Sequence, residues 1–351
     1  MKLFLIVCFV GCIRTTLSAV LPDAGCAILV NEHLSDPQPL LVLQNDATTD
    51  IEAIVLPDDD VGTINFNRGE TIDVACPGTV VVISNVATTT NVVSIACSSG
   101  INFNVNGKIV PFTEITCKRT PSSVAQYTGK TCATKHKEIE IGFQLQDRFI
   151  RHITTCFNVE LQHAIYSQDY LISNIGGSQV NYPRPDFQVG KFYNVKPDNV
   201  DSLYSRKGQT KTINKILGLD EADTSVIHPT SNVYLATGHY TPKAEYIFGL
   251  QQRLTFYYVN AAPQWQSFNG ANWNTMEANC RKLAGDRQTD FIVYTGTYGI
   301  ATLPDVNGNE QELYLWVSAT GQKAGIVLLG FNNPHKTYTD SDKIAKTCAI
   351  E

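Results

Sequence analysis

The sequence predicts an α+β chain with a small β-rich module in front, and three observations carry that reading. Alternating apolar and polar residues, as in Glu138-Ile139-Glu140-Ile141, have the period of a half-exposed strand. The segment from Trp273 to Ala284 has the composition of a helix instead. Charge supplies the third: Val20 to Cys117 carries twelve acidic residues against two basic ones, Arg68 and Lys108, whereas from Lys118 onward 21 acidic residues face 23 basic ones. A chain of 351 residues exceeds the usual size of one domain, so the charge break divides it into 20–117 and 118–351.

Met1 to Ala19 has one early lysine, an apolar stretch from Leu3 to Ile13 and small residues at Ser18-Ala19, the pattern of a cleaved secretory signal peptide covering 1–19. No other stretch approaches the roughly 18 consecutive apolar residues of a spanning helix, so a secreted, extracellular protein with no membrane partner is expected. Ten cysteines are present. Removing Cys8 and Cys12 with the signal leaves Cys26, Cys76, Cys97, Cys117, Cys132, Cys156, Cys280 and Cys348. An even set with no close CxxC pair in an exported chain favours disulfides over zinc. Sequence order suggests Cys26 with Cys76, Cys97 with Cys117, Cys132 with Cys156, and Cys280 with Cys348.

The acidic module, 20–117, is rich in Val, Ile, Thr, Asn and Gly, with short apolar runs such as Thr79 to Ile83, and reads as strands. Asp58-Asp59-Asp60 reads as a solvated turn rather than a calcium site. An acidic module repels nucleic acid, so its place is expected to be away from any phosphate-binding cleft.

After Lys118, Phe149 to Phe157 and Ala164 to Ile172 are strand-like, and Thr210 to Leu217 followed by Gly218 reads as a short capped helix. The stretch holding Arg184, Lys191, Lys196, Arg206, Lys207, Lys211 and Lys215 is locally basic in an acidic protein, which suits phosphate binding as well as plain solvation. Prolines on both sides of Arg184 stiffen Asn181-Tyr182-Pro183-Arg184-Pro185 into an extended loop that presents the guanidinium. Phe291 to Leu303, Leu313 to Val317 and Ile326 to Leu329 are the last expected strands.

The densest chemistry lies between Asn232 and Arg281. Val233-Tyr234-Leu235 is a short strand-forming run that stops at Thr237-Gly238-His239, placing His239 exposed at a strand end. After the apolar run Thr255 to Val259 come Asn260-Ala261-Ala262-Pro263, and then Asn269, a good N-terminal cap for the helix that follows. From Asn269, the residues Trp273, Glu277 and Arg281 follow at steps of four and form one stripe along that helix. Amide, carboxylate and guanidinium then point into one cleft. A hard cation such as magnesium needs only one or two protein oxygen ligands when a substrate phosphate completes its shell. An imidazole facing that cation can take a proton from water.

These residues, Gly238-His239 with Pro242, Asn260, Pro263-Gln264, Phe268-Asn269, Trp273, Glu277 and Arg281, resemble the DNA/RNA non-specific endonucleases, the ββα-metal or His-Me finger nucleases, and most closely their secreted arthropod branch, which includes salivary endonucleases. The resemblance implies a ββα-metal fold, with a central, mainly antiparallel sheet flanked by helices. It implies His239 as general base, Asn269 as direct ligand of Mg2+ (Mn2+ the alternative), and Glu277 acting on the metal through a water. Asn260 and Gln264 would support the site, Gln264 also facing nucleic acid, and Arg281 would face phosphate. The family pattern has arginine immediately before Gly-His, where this chain has Thr237. A threonine hydroxyl supplies no charge to a transition state, and Arg184 or Arg206, the latter with Lys207 beside it, is the candidate to supply it. The expected function is a secreted, metal-dependent endonuclease acting on DNA and RNA with little sequence specificity. The alternative is a nucleic-acid-binding protein on the same fold with weak or no cleavage.

Overall fold

A computed structural model describes residues 25–44, 53–195, 199–317 and 323–326; the expected signal peptide, Cys348, Lys196 and most of the last expected strand lie outside the described residues. The molecule is α+β.

The N-terminal part contains β1 (Cys26–Leu29), β2 (Leu40–Val42), β3 (Thr63–Phe66), β4 (Thr71–Ala75), β5 (Val81–Ile83), β6 (Val86–Ala87), β7 (Val92–Ser99), β8 (Asn102–Val105), β9 (Lys108–Pro111) and β10 (Ile115–Cys117). These pair with one another, the largest set in the order β2-β4-β7-β8-β9. Their inward residues, Ile72 and Val74 on β4 and Phe103 on β8 among them, are buried, as the alternation of a strand requires. Cys26 bonds Cys97 and Cys76 bonds Cys117, which corrects the pairing suggested by sequence order. The cause is topology: the backbone of Ala27 donates to Gly100, bringing β1 beside the end of β7.

The second part is organised on a five-stranded antiparallel sheet made of β11 (Val124–Cys132), β12 (His136–Leu145), β13 (Arg148–Asn158), β14 (His163–Leu171) and, far later in sequence, β17 (Phe291–Gly296). Cys132 bonds Cys156 across it, as expected. Between β14 and β17 come α1 (Val200–Tyr204), α2 (Arg206–Leu217), β15 (Leu235–His239), α3 (Gly249–Leu254), β16 (Ala261–Trp265), the short α4 (Gln266–Phe268) and α5 (Asn274–Arg287). Ser205 caps α2 by accepting from the Gly208 amide, and Gly218 closes it in the left-handed conformation that a residue without Cβ adopts cheaply. After β17 lie β18 (Thr302–Pro304) pairing β19 (Glu310–Glu312), and β20 (Tyr314–Val317) pairing β21 (Lys323–Ile326).

One apolar core runs from Ile28 and Phe103 through Ile141 and Phe157 to Phe291, crossing the Cys117/Lys118 charge break without interruption. A second core joins α1, α2, β15 and β16 through Leu203, Ile213, Leu235 and Trp265. The acidic module does not stand apart. Its Asp58–Gly62 turn sits on the 3-10 turn Ser173–Gly177 so closely that a Cβ on Gly62 would come within 2.7 Å of the Gly177 carbonyl. Asn174 adds a hydrogen bond to the Pro57 carbonyl at 2.9 Å. That same 3-10 turn packs on α5. The acidic module is thus held beside α5 by apolar burial in spite of its charge.

His152 on β13 is 3% exposed, with its ring against Phe143 and Tyr246. Its Nδ1 lies 3.2 Å from the Ile150 carbonyl and its Nε2 3.3 Å from the Gln251 amide, an arrangement that suits the neutral ring. Burial, only partly offset by the Ile150 carbonyl, pushes its pKa down to about 4. The unfolded chain thus binds a proton that the folded chain refuses between about pH 6.5 and 4. Stability from this group is complete above the upper limit and is lost as pH falls through the window, on the order of 3 kcal/mol for a shift of this size. Urea unfolding at pH 7 and pH 4.5 checks it: His152→Gln, which cannot titrate, should lose much less stability on acidification than the parent, and an unchanged loss would reject this origin.

Candidate active site

The hairpin β15–β16 and the helix behind it form a ββα unit. Leu235 pairs with Trp265, Thr237 with Pro263 and His239 with Ala261, so the side chains of Leu235, Thr237 and His239 share one face. Leu235 anchors that face in the second core, and Thr237 and His239 open into a cleft of about 350 Å³. The strand ends at His239, whose side chain is largely buried rather than exposed as the sequence suggested.

The end of β15 is pinned immediately after His239. Tyr240 is buried and its hydroxyl donates to the Ala164 carbonyl of the large sheet at 2.7 Å. The Thr241 hydroxyl donates to buried Asp169 at 2.9 Å. Asn260 is 0% exposed; its amide donates to the Thr241 and Thr255 carbonyls and its oxygen accepts from the Thr241 amide. Asn260 therefore does not enter the cleft; it stands behind it as a buried clamp on the chain beyond His239. Gln264 lies on the opposite face of the hairpin, with its side chain across Gly238, where a Cβ would come within 2.4 Å of its Oε1. It too does not line the cleft.

The helix corrects a second expectation. Asn269 is not a cap: the chain is already helical at Gln266, and a π-helical turn spans Asn269 to Trp273 before α5. A π turn holds one residue more than an α turn, so the four-residue stripe loses phase there. Trp273 turns away, its ring 5.6 Å from Phe268 and packed against the second core. Asn274 takes its place in the cleft beside Gln266, Asn269, Glu277 and Arg281. The Asn269 amide donates to Gln266 Oε1 at 3.3 Å, which ties the two amides together in the cleft.

The cleft's remaining wall comes from the loop containing Arg184. The Gln188 amide donates to the Phe256 carbonyl at 2.8 Å and the Tyr258 amide donates to the Gln188 carbonyl at 3.0 Å, so this loop is zipped along the approach to β16. That pairing lays Phe187 and Phe256 against the His239 ring, at 5.0 and 4.9 Å between centroids. The Arg184 guanidinium sits over Phe256 at 5.6 Å. Burial first, and the Arg184 charge second, push the His239 pKa down to about 3, so the ring is neutral at physiological pH. Its Nε2 is buried with no hydrogen-bond partner among the described residues. Arg184 thus reaches the cleft; Arg206 does not, since it stacks on Tyr234 at 3.7 Å and donates to the His228 and Ser231 carbonyls at 2.5 and 2.8 Å. Lys207 is exposed on α2, also outside the cleft.

Sequence reasoning missed Gln266, Asn274, Phe187 and Lys243. Lys243 lies in the cleft wall, its ammonium donating to the Tyr182 carbonyl at 2.5 Å. Burial, with the Arg184 charge second, lowers its pKa. Its place four residues after His239 was the only signal. Cys280, buried on α5, is disulfide-bonded, and its expected partner Cys348 lies outside the described residues.

The donors gathered here, two asparagine amides, a glutamine amide and a carboxylate, are hard oxygen ligands that suit a magnesium-like ion completed by phosphate. Among the described residues there is no cluster of three His, Cys, Asp or Glu side chains, so an all-protein cage for a softer metal is not present there. Nor is any described helix long and apolar enough to cross a membrane.

Comparison with known proteins agrees with this chemistry. The family model described as DNA/RNA non-specific endonuclease matches residues 133–344. The chain is similar to a "Salivary endonuclease" of Lutzomyia longipalpis, 28% identical over 295 residues, covering 80% of this chain and 66% of that protein. It is similar also to "Salivary protein Tsal2A" and "Salivary protein Tsal1" of Glossina morsitans morsitans, at 23% and 25% identity, covering 68% and 63% of this chain. The matches span 63% and 58% of those two proteins, so the chain corresponds to part of each relative's length. A solved structure titled "Crystal structure of the EndoG/EndoGI complex: Mechanism of EndoG inhibition" aligns at a TM-score of 0.31 and 18% identity, covering 50% of this chain and 61% of that one.

Proposed function

The chain belongs to the DNA/RNA non-specific endonuclease family, and on that premise we propose that it is a secreted, Mg2+-dependent endonuclease that hydrolyses phosphodiester bonds of DNA and RNA with little sequence preference. The observation that supports this most is the meeting in one cleft of a neutral histidine, an arginine beside it, and an oxygen-donor set on the facing helix.

In this reading His239 takes a proton from the attacking water at Nε2, the atom left without a protein partner. Neutrality is required for that step, and Phe187 and Phe256 supply it by keeping the charged form out of water. Arg184 and Arg281, on opposite walls, hold the phosphate oxygens, and Arg184 takes the electrostatic role that Thr237 cannot fill. Phosphate bound to Arg184 offsets the charge that depresses the histidine, so substrate binding raises the basicity of His239. Asn269 would hold the cation with Glu277 beside it, and the bound cation supplies positive charge where the phosphate and leaving oxygen gain negative charge. Contacts to phosphate carry no base information, which accounts for the low sequence preference. Disulfides in both parts of the chain suit an oxidising, extracellular compartment.

The second reading, a nucleic-acid-binding protein that cleaves weakly or not at all, rests on Thr237. Incubating the purified protein with plasmid DNA and with RNA, in magnesium and in excess chelator, separates the two. Cleavage that requires magnesium or manganese supports the nuclease. Salt-sensitive retention of DNA without cleavage in either metal supports the second reading and rejects the first.

A further inference from the structure

Arg184 is two residues beyond Tyr182, and the prolines on either side of it, Pro183 and Pro185, leave the backbone between them little freedom. Where Tyr182 is held therefore decides where the guanidinium can reach. Tyr182 is 8% exposed, and its ring lies on the start of α3 so closely that a Cβ on Gly249 would come within 2.2 Å of it. The Gly249 amide donates to Gln179 Oε1 at 2.7 Å and the Gln179 amide donates to the Ile247 carbonyl at 2.7 Å, so the chain entering Tyr182 is bound to the same stretch.

Two further holds come from different sides. Lys243 lies in the cleft wall four residues after His239, following Pro242 and opening the 3-10 turn Lys243–Glu245. Its ammonium commits one N–H to the Tyr182 carbonyl at 2.5 Å. That bond crosses from the chain that carries His239 to the loop that carries Arg184. Lys243 and Arg184 are like charges that repel, so a loop free to move would carry Arg184 away from this wall, and the bond to Tyr182 opposes that. The acidic module holds the same segment. Its Asn31 donates to the Ser178 carbonyl at 3.2 Å and accepts from the Val180 amide at 2.9 Å, and its Asp36 accepts from the Tyr182 hydroxyl at 3.3 Å. The hydroxyl keeps its proton for that bond, since burial first and the Asp36 charge second push the Tyr182 pKa up to about 12.

Resting on the nuclease reading above, we propose that Lys243 and Tyr182 are positioning residues for Arg184, and that the acidic module, through Asp36 and Asn31, is part of what sets where Arg184 meets the phosphate. The module then serves catalysis without touching substrate: it fixes the near end of the Arg184 loop, and the pairing of Gln188 with Phe256 and Tyr258 fixes the far end.

Steady-state kinetics of the full chain on plasmid DNA in magnesium test this, with hydrogen exchange in chelator as a readout that needs no cleavage. Lys243→Met should lower kcat by about 10-fold or more, within the roughly 10²-fold that a misplaced group costs, and Tyr182→Phe and Asp36→Ala should each lower it several-fold with KM little changed. Because the last two remove the same bond, combining them should lower kcat no further than either alone. Adding Thr237→Arg, which supplies the charge without the loop, should restore most of the loss in each variant, as it would not in a chain that is merely less stable. Peptides covering 179–190 should exchange faster in each variant than in the parent. Asn174→Ala, which removes a hydrogen bond to the module's Pro57 carbonyl away from this loop, is the control and should leave both exchange at 179–190 and the response to Thr237→Arg as in the parent. Unchanged exchange, unchanged kcat, or a loss confined to KM with a flatter salt dependence, which would make Lys243 a direct phosphate contact, overturns the proposal. If the parent cleaves while the variants match it, only this inference fails; a parent that does not cleave removes the nuclease reading and this inference with it.

Discussion

His239→Ala lowers kcat/KM on plasmid DNA by about 10²–10⁴, the range a positioned general base contributes. The chain around this histidine is built to hold one ring in one place. Tyr240, Thr241 and Asn260 fix the backbone beyond it, and Phe187 and Phe256 fix the ring itself. None of those contacts depends on the imidazole accepting a hydrogen bond, because Nε2 has no partner among the described residues. The variant should therefore fold with a thermal midpoint close to the parent's and still retain DNA in chelator. The loss should fall mainly in kcat, since a general base acts in the transition state and adds little to ground-state binding. A His239→Ala protein that cleaves at the parental rate would place the base elsewhere.

Arg184→Ala lowers kcat/KM by about 10²–10³, the cost of removing one preorganised charge from a developing phosphate charge. Two further results separate this role from loss of fold. The added substitution Thr237→Arg restores much of the activity, because position 237 opens into the same cleft; in the parent, where Arg184 is present, Thr237→Arg alone gains little. The acid limb of the pH profile moves as well. Arg184 is one of the two causes that hold His239 low, so its removal raises the histidine pKa, and the pH at which activity appears rises with it. Kinetics of the parent and of the single and double variants between about pH 2.5 and 8 measure both effects. An Arg184→Ala enzyme with parental kcat/KM and an unmoved acid limb would assign the phosphate contact to another residue.

The strands of the large sheet were legible because a sheet with one buried face writes its period directly into the chain, as at Glu138 to Ile141 on β12. The order of cleft residues from His239 to Arg281 was legible for the same local reason: strand, turn and helix are adjacent in sequence. What failed was information that only three-dimensional pairing holds. Steps of four assume a regular helix, and the π turn at Asn269 to Trp273 exchanges Trp273 for Asn274 in the cleft. Flanking prolines marked Arg184 as presented but said nothing of where, since its destination depends on Gln188 pairing with Phe256 and Tyr258, some 70 residues onward. Asn260 stood out as a polar residue in an apolar run, and that pattern does not distinguish a ligand from a buried amide that binds backbone. Cysteine order could not give Cys26–Cys97 and Cys76–Cys117, because strands close in space are distant in the chain.

The contact between the acidic module and the 3-10 turn Ser173–Gly177 also bears on how this protein can be cut or shortened. Asn31 and Ser178, Pro57 and Asn174, and Asp36 and Tyr182 are hydrogen-bonded across it, and a single apolar core continues beneath. A fragment beginning at Lys118 would carry the whole β15–β16 hairpin, yet it would expose to water the inner side of the sheet that positions it. The module is thus less a detachable accessory than a piece of the scaffold. Proteolysis between the two parts would leave them associated, and expression of the nuclease part alone would favour aggregation over a smaller enzyme.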